Sequence, residues 1–192
     1  SNISKQFDNA SLLACFIGGV LYWAVHLLNN WFFQWGEISQ HINLVYLPSF
    51  LRLANVLILG LTLGTASTAL GGLFLIWWSP DDWLLSLLNL GVSANAAAIA
   101  VICMRILMGR RLSPARLMDL FLLSLLCAIV SASLHHLLWS ILDTRQLVDP
   151  LQLPYMMVGD VNGALIGALI LRWFSRNTRI THLLRQGAKS TH

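Results

Sequence analysis

The sequence predicts an all-α, polytopic transmembrane bundle of six helices, with five as the alternative, and three observations carry that reading. Of the 192 residues, 57% are hydrophobic and only 10% are charged, against roughly 25% charged in an average soluble domain. Apolar stretches recur at about the 20-residue length that crosses a ~30 Å hydrocarbon core, and they fill the chain, so 1–192 reads as a single integral membrane domain. Basic residues collect beside these stretches rather than on a soluble face. The net charge of +4 is therefore a topology signal, not a sign of nucleic-acid binding. The lipid bilayer is the first expected partner.

The first helix is expected over about 10–33. It is too long for a signal-peptide core and has no A-x-A cleavage site before polar residues, so it is expected to remain in place. Gln34 to Leu47, with Gly36, Glu37 and His41, is too polar for lipid and reads as an outer loop lying at the interface. From Pro48 to Trp78 the chain stays apolar for longer than one perpendicular crossing needs. Gly60 and Gly64 interrupt it, so the segment is read as a tight hairpin of two short helices, 48–63 and 65–78, turning at Leu61-Thr62-Leu63. A single strongly tilted helix is the alternative that gives five.

Pro80-Asp81-Asp82 is a polar break whose carboxylates favour the start of the next helix, about 83–108. Gly109-Arg110-Arg111-Leu112-Ser113-Pro114 ends it. Helices over about 117–142 and 154–174 follow, separated by the loop Asp143 to Pro150, and 175–192 forms a basic tail.

Arg105, Arg110, Arg111 and Arg116 flank one connection, and Arg172, Arg176, Arg179, Arg185 and Lys189 follow the last helix; the positive-inside rule makes both regions cytoplasmic. Six crossings then put both termini in the cytoplasm of a bacterial-type inner membrane, with Glu37, Asp81, Asp82, Asp143 and Asp149 outside. Trp31, Trp35, Trp77, Trp78, Trp83 and Trp139 fall at the expected outer boundary, where an amphipathic indole is favoured.

Polar residues inside the spans gather at one level, and intramembrane polar groups normally face a bundle interior or a wet cavity. His26, Asn29 and Asn30 lie in the outer half of the first helix, Arg52 and Asn55 near the outer start of the second, and Asn89 in the outer half of the fourth. His135 and His136 are outer on the fifth helix, while Asp160 and Asn162 are outer to central on the sixth. Trp23, His26 and Asn30 share a stripe through i+3 and i+4 spacing. Arg52 and Asp160 are the ionisable groups expected to meet; snorkelling of Arg52 or capture of an anionic ligand are the alternatives. The adjacent histidines diverge by about 100°, so only one can face a pocket centre. No HxxxH or HExxH spacing exists, and no metal site is expected.

Small residues in four-residue steps suit close helix packing, within the chain or against a partner subunit: Gly159, Gly163 and Gly167, and likewise Ala10, Ala14 and Gly18. Cys15, Cys103 and Cys127 lie inside apolar segments and are expected as packed thiols. No GxSxG nucleophile or phosphate loop is present, so an enzyme is not expected. No cofactor is specified.

The run Tyr46-Leu-Pro-Ser-Phe-Leu-Arg-Leu-Ala-Asn-Val-Leu-Ile-Leu-Gly60, with Gly64, Gly71-Gly72 and later Val158-Gly-Asp-Val-Asn-Gly163, resembles two groups. It looks like the helical hairpin of MASE1-type membrane sensor domains and of the S components of energy-coupling-factor importers. The S-component resemblance implies a six-helix bundle that captures a small molecule from outside, with Ala10, Ala14 and Gly18 facing a transport partner. The MASE1 resemblance implies a cytoplasmic output domain after the sixth helix. The expected function is small-molecule binding for uptake or sensing in an outward pocket built from His26, Asn30, Arg52, Asn55, Asn89, His135, His136 and Asp160. The alternative is a non-catalytic accessory or assembly subunit of a larger membrane complex, with other membrane subunits as partners.

Overall fold

The structure, a computed structural model, describes residues 8–39, 42–79, 82–109, 117–142 and 151–177. Among these, five helices are long and apolar enough to cross a membrane, not six. The first, α1 (Asn9–Phe32), starts on Asp8, whose carboxylate accepts from the Ser11 amide at 2.8 Å and satisfies an otherwise free helix N–H. A short 3-10 turn, Gln34–Gly36, leads into an antiparallel pair, β1 (Glu37–Ser39) and β2 (Ile42–Asn43), with Glu37 opposite Asn43. The outer-loop expectation contained no strands.

The two short helices expected at 48–63 and 65–78 form one element, α2 (Pro48–Ile76), broken at Gly60 rather than over residues 61–63. Gly60 has φ 83 and ψ 176, a conformation open to glycine and strained for residues with a Cβ. The break is a reversal. Gly64 lies so near the Asn55 carbonyl and the Val56 Cα that a Cβ there would come within 2.5 Å of each. Asn55 Nδ2 donates to Thr68 Oγ1 at 3.3 Å across 13 residues, a separation of about 20 Å in a continuous helix. The arms, of about 12 and 16 residues, are roughly 18 and 24 Å long. Each is shorter than a ~30 Å hydrocarbon core, so neither arm is a span by itself; α2 enters the count of five as one element, by length and composition.

The second arm runs parallel to α1. Ser67 Oγ donates to the Cys15 carbonyl at 2.8 Å, Gly19 lies against Ser67 and Gly71, and Trp23 stacks on Trp78 with ring centroids 6.4 Å apart. The Leu47 amide, just before the first arm, donates to Asn29 Oδ1 at 2.8 Å. Both ends of α2 therefore lie beside the C-terminal end of α1. Two further helices, α3 (Trp83–Met108) and α4 (Leu117–Ile141), pack antiparallel, and α5 (Gln152–Asn177) closes the bundle. Asp82 caps α3 and Gly109, at φ 59, ends it. The last helix begins before and ends after its expected 154–174 limits, so residues 175–177 of the expected tail are helical.

The first arm of α2 runs through the middle. Leu53 and Val56 are buried with Ala96, Ala97, Ala100, Val101 and Met104 of α3, Leu123 and Cys127 of α4, and Ala164 of α5. Glycines let the backbones close around it: Gly159 packs on the Asn43 carbonyl, Gly163 on the Tyr46 carbonyl and Gly167 on the Phe50 ring. Of the other expected stripe, Gly18 is buried against Ser67 and Asn55, Ala14 is half-buried and Ala10 is exposed. Trp31, Trp35, Trp77, Trp78 and Trp83 are exposed, marking one end of the bundle, whereas Trp139 is buried. His41, Asp81, Arg110, Arg111, Arg116, the loop 143–150 and residues 178–192 lie outside the described residues.

Candidate functional site in the tryptophan-rich half

The hairpin at Gly60 decides which polar residues can share a level. Because α2 returns to the end it left, Arg52 descends beside α1 just below His26 and Asn29, while α3, α4 and α5 present Asn89, His135 and Asp160 at the same height. A cavity of about 490 Å³ lies there. Its exposed rim includes Asn30, Gln34 and Glu37, and its buried wall includes Tyr22, Asn29, Arg52, His135, Trp139 and Asp160.

Arg52 is 1% exposed and organises that wall. One terminal nitrogen donates to Asp160 Oδ2 at 2.8 Å, the other donates to Ser131 Oγ at 3.0 Å, and the guanidinium lies 5.6 Å from the Tyr46 ring centroid. Desolvation of two charges is costly, and this pair offsets it with direct contact and a charge-assisted hydrogen bond. Ser49 Oγ donates to the Asp160 carbonyl at 2.6 Å, fastening the two helices that carry the pair.

His135 Nδ1 lies 2.8 Å from the Ser131 carbonyl and Nε2 lies 3.3 Å from Ser93 Oγ. A carbonyl oxygen only accepts, so Nδ1 carries the proton and donates to it, leaving Nε2 to accept from the serine. Trp139 Nε1 donates to Asn89 Oδ1 at 2.9 Å, tying α4 to α3. Tyr22 and Tyr46 hydroxyls meet at 3.3 Å, and the His26 ring stands edge-on to Tyr46 at 5.7 Å.

No family model, curated protein or solved structure matches the chain. The site is therefore defined by its own geometry. Of the residues expected from sequence, His26, Asn30, Arg52, Asn89, His135 and Asp160 line the cavity. Asn55 does not: it is spent inside the hairpin on Thr68. His136 also lies off the lining, its ring 5.2 Å from Trp139. Trp23 leaves the expected stripe to pack on Phe74 and Trp78.

Sequence reasoning missed Tyr22, Tyr46, Ser93 and Trp139 as lining residues, and it valued Asn30 above the more deeply buried Asn29. Asn29 follows His26 by three positions, so the same helical spacing could have found it. Among the described residues no three His, Cys, Asp or Glu groups gather as metal ligands. What the wall presents is hydrogen-bond donors, acceptors and aromatic faces around one neutralised ion pair.

Proposed function

We propose that the cavity is an outward-facing pocket that binds a small molecule, for uptake or for sensing. The observation that supports this most is convergence: all five helices send a polar side chain to one space of about 490 Å³, within the size range of ligand sites. Interhelical hydrogen bonding alone needs no shared open volume between the helices. The two segments that resemble MASE1 domains and importer S components also meet each other, Tyr46 N donating to the Gly159 carbonyl at 3.0 Å. That junction forms one side of the pocket, and the positive-inside pattern puts its rim outside.

The test is purification in mild detergent followed by native mass spectrometry. A small molecule should co-purify with the wild-type chain and be lost from Ser93→Leu, which sets a bulky apolar side chain in the pocket beside His135, in protein shown by its melting transition to be folded. Absence of any bound compound from wild type, or equal retention by this variant, would argue that the polar layer only joins helices.

A further inference from the structure

Three buried side-chain atoms of the lining residues have no hydrogen-bond partner among the described residues: Asn29 Nδ2 and Arg52 Nε, and the Oδ1 acceptor of Asn43. Asn29 and Arg52 are each 1% exposed. Their two atoms are N–H donors. The other ends of these two side chains are fixed: Asn29 Oδ1 accepts from the Leu47 amide, and the terminal nitrogens of Arg52 hold Ser131 and Asp160. Neither side chain can turn away to satisfy its free donor without breaking one of these bonds. Buried donors of this kind call for an acceptor.

The charge around them restricts what brings that acceptor. Arg52 is the one lysine or arginine among the described lining residues, and Asp160 already neutralises it. An anion would meet the carboxylates of Asp160 and Glu37 with no uncompensated cation to receive it. An ammonium would find acceptors at Glu37 and Asn43 Oδ1 but only donors at Asn29 Nδ2 and Arg52 Nε, beside the Arg52 charge. The lining also holds the rings of Tyr22, Tyr46, Trp78 and Trp139, which offer faces and edges to a flat body.

Resting on the pocket reading above, we infer that the ligand class is an uncharged, planar organic solute with a carbonyl-type acceptor. Its oxygen takes the hydrogens of Asn29 Nδ2 and Arg52 Nε, and its ring packs among the tyrosines and tryptophans. The volume admits on the order of 10 to 20 non-hydrogen atoms.

Four probes of nearly one shape separate the possibilities: benzamide, benzoate, benzylammonium and toluene, titrated against the full chain in lipid nanodiscs and read by saturation-transfer NMR. Benzamide should bind about tenfold more tightly than the other three, the value of one buried hydrogen bond to a charged or unpaired partner. Asn29→Asp keeps the Oδ1 acceptor for Leu47 but replaces the donor, and should weaken benzamide about tenfold. Preference for benzoate or benzylammonium overturns the ligand class and leaves the pocket standing. Toluene equal to benzamide overturns the acceptor argument. Binding of no probe overturns the pocket reading together with this one. An Asn29→Asp protein that melts like wild type yet binds benzamide undiminished removes Asn29 from the contact.

Discussion

Arg52 and Asp160 lie far apart in sequence and 2.8 Å apart in space, and their pairing is the most consequential side-chain contact in the bundle. Removing one partner leaves an uncompensated charge on a side chain buried among helices. Asp160→Ala should therefore lower stability by about 3 to 5 kcal/mol. The double variant Arg52→Met with Asp160→Leu should recover most of that loss, because no charge is then stranded. Reversible unfolding in mixed micelles measures both, and additive losses in the double variant would show that the two side chains act independently. This pair was legible in the sequence, since an intramembrane charge requires a partner and few candidates exist. Asn29 was placed at the right depth but not in the pocket, and the parts played by Ser93 and Ser131 were not legible. Depth along a helix can be counted from its ends, but the direction a polar side chain faces depends on neighbours that only the packed bundle supplies.

At the level of elements, glycine does different work at different places in the chain. Gly163 touches the Tyr46 carbonyl, Gly60 holds a positive φ, and Gly91 would meet nothing within 4 Å if given a Cβ. Gly163→Ala and Gly60→Ala should each destabilise, by about 1 to 3 kcal/mol, through a clash and through backbone strain respectively. Gly91→Ala should be neutral or stabilising by about 0.5 to 1 kcal/mol, since it only restricts the unfolded chain. Melting temperatures of the three variants check the order, and an equal loss at all three positions would mean that a general glycine requirement is at work. A doubled-back segment was legible from Pro48, Gly60 and the excess apolar length. Its turn residue was not, because the choice between Gly60 and the following residues rests on how Gly64 closes on Asn55. The strand pair at Glu37–Asn43 gave no sequence signal, being too short to show alternation.

Across the whole molecule the hairpin sets the topology: α1, α3, α4 and α5 run end to end, and α2 enters and leaves at the tryptophan-rich end. Single cysteines placed at Asn43 and Ser79 in a background lacking Cys15, Cys103 and Cys127 should react with an impermeant thiol reagent from one face of the membrane, and a cysteine at Gly109 from the other. Labelling of positions 43 and 79 from opposite faces would show that α2 crosses. The helical class was plain from composition and span length, but bilayer and protein core demand the same apolar residues. That same indifference hid which helix lies at the centre, a place taken by the shortest and least conspicuous arm. Its position has a consequence for biogenesis. Arg52 emerges 108 residues before Asp160, and at about 5 to 20 residues per second of synthesis the arginine waits on the order of 5 to 20 s for its carboxylate. During that interval the first arm of α2 lacks its counter-ion, while α3 and α4, made before Asp160, can already gather on it. Final docking of this arm therefore falls to the last helix made, and the charge at the centre of the finished bundle is among the last features to settle.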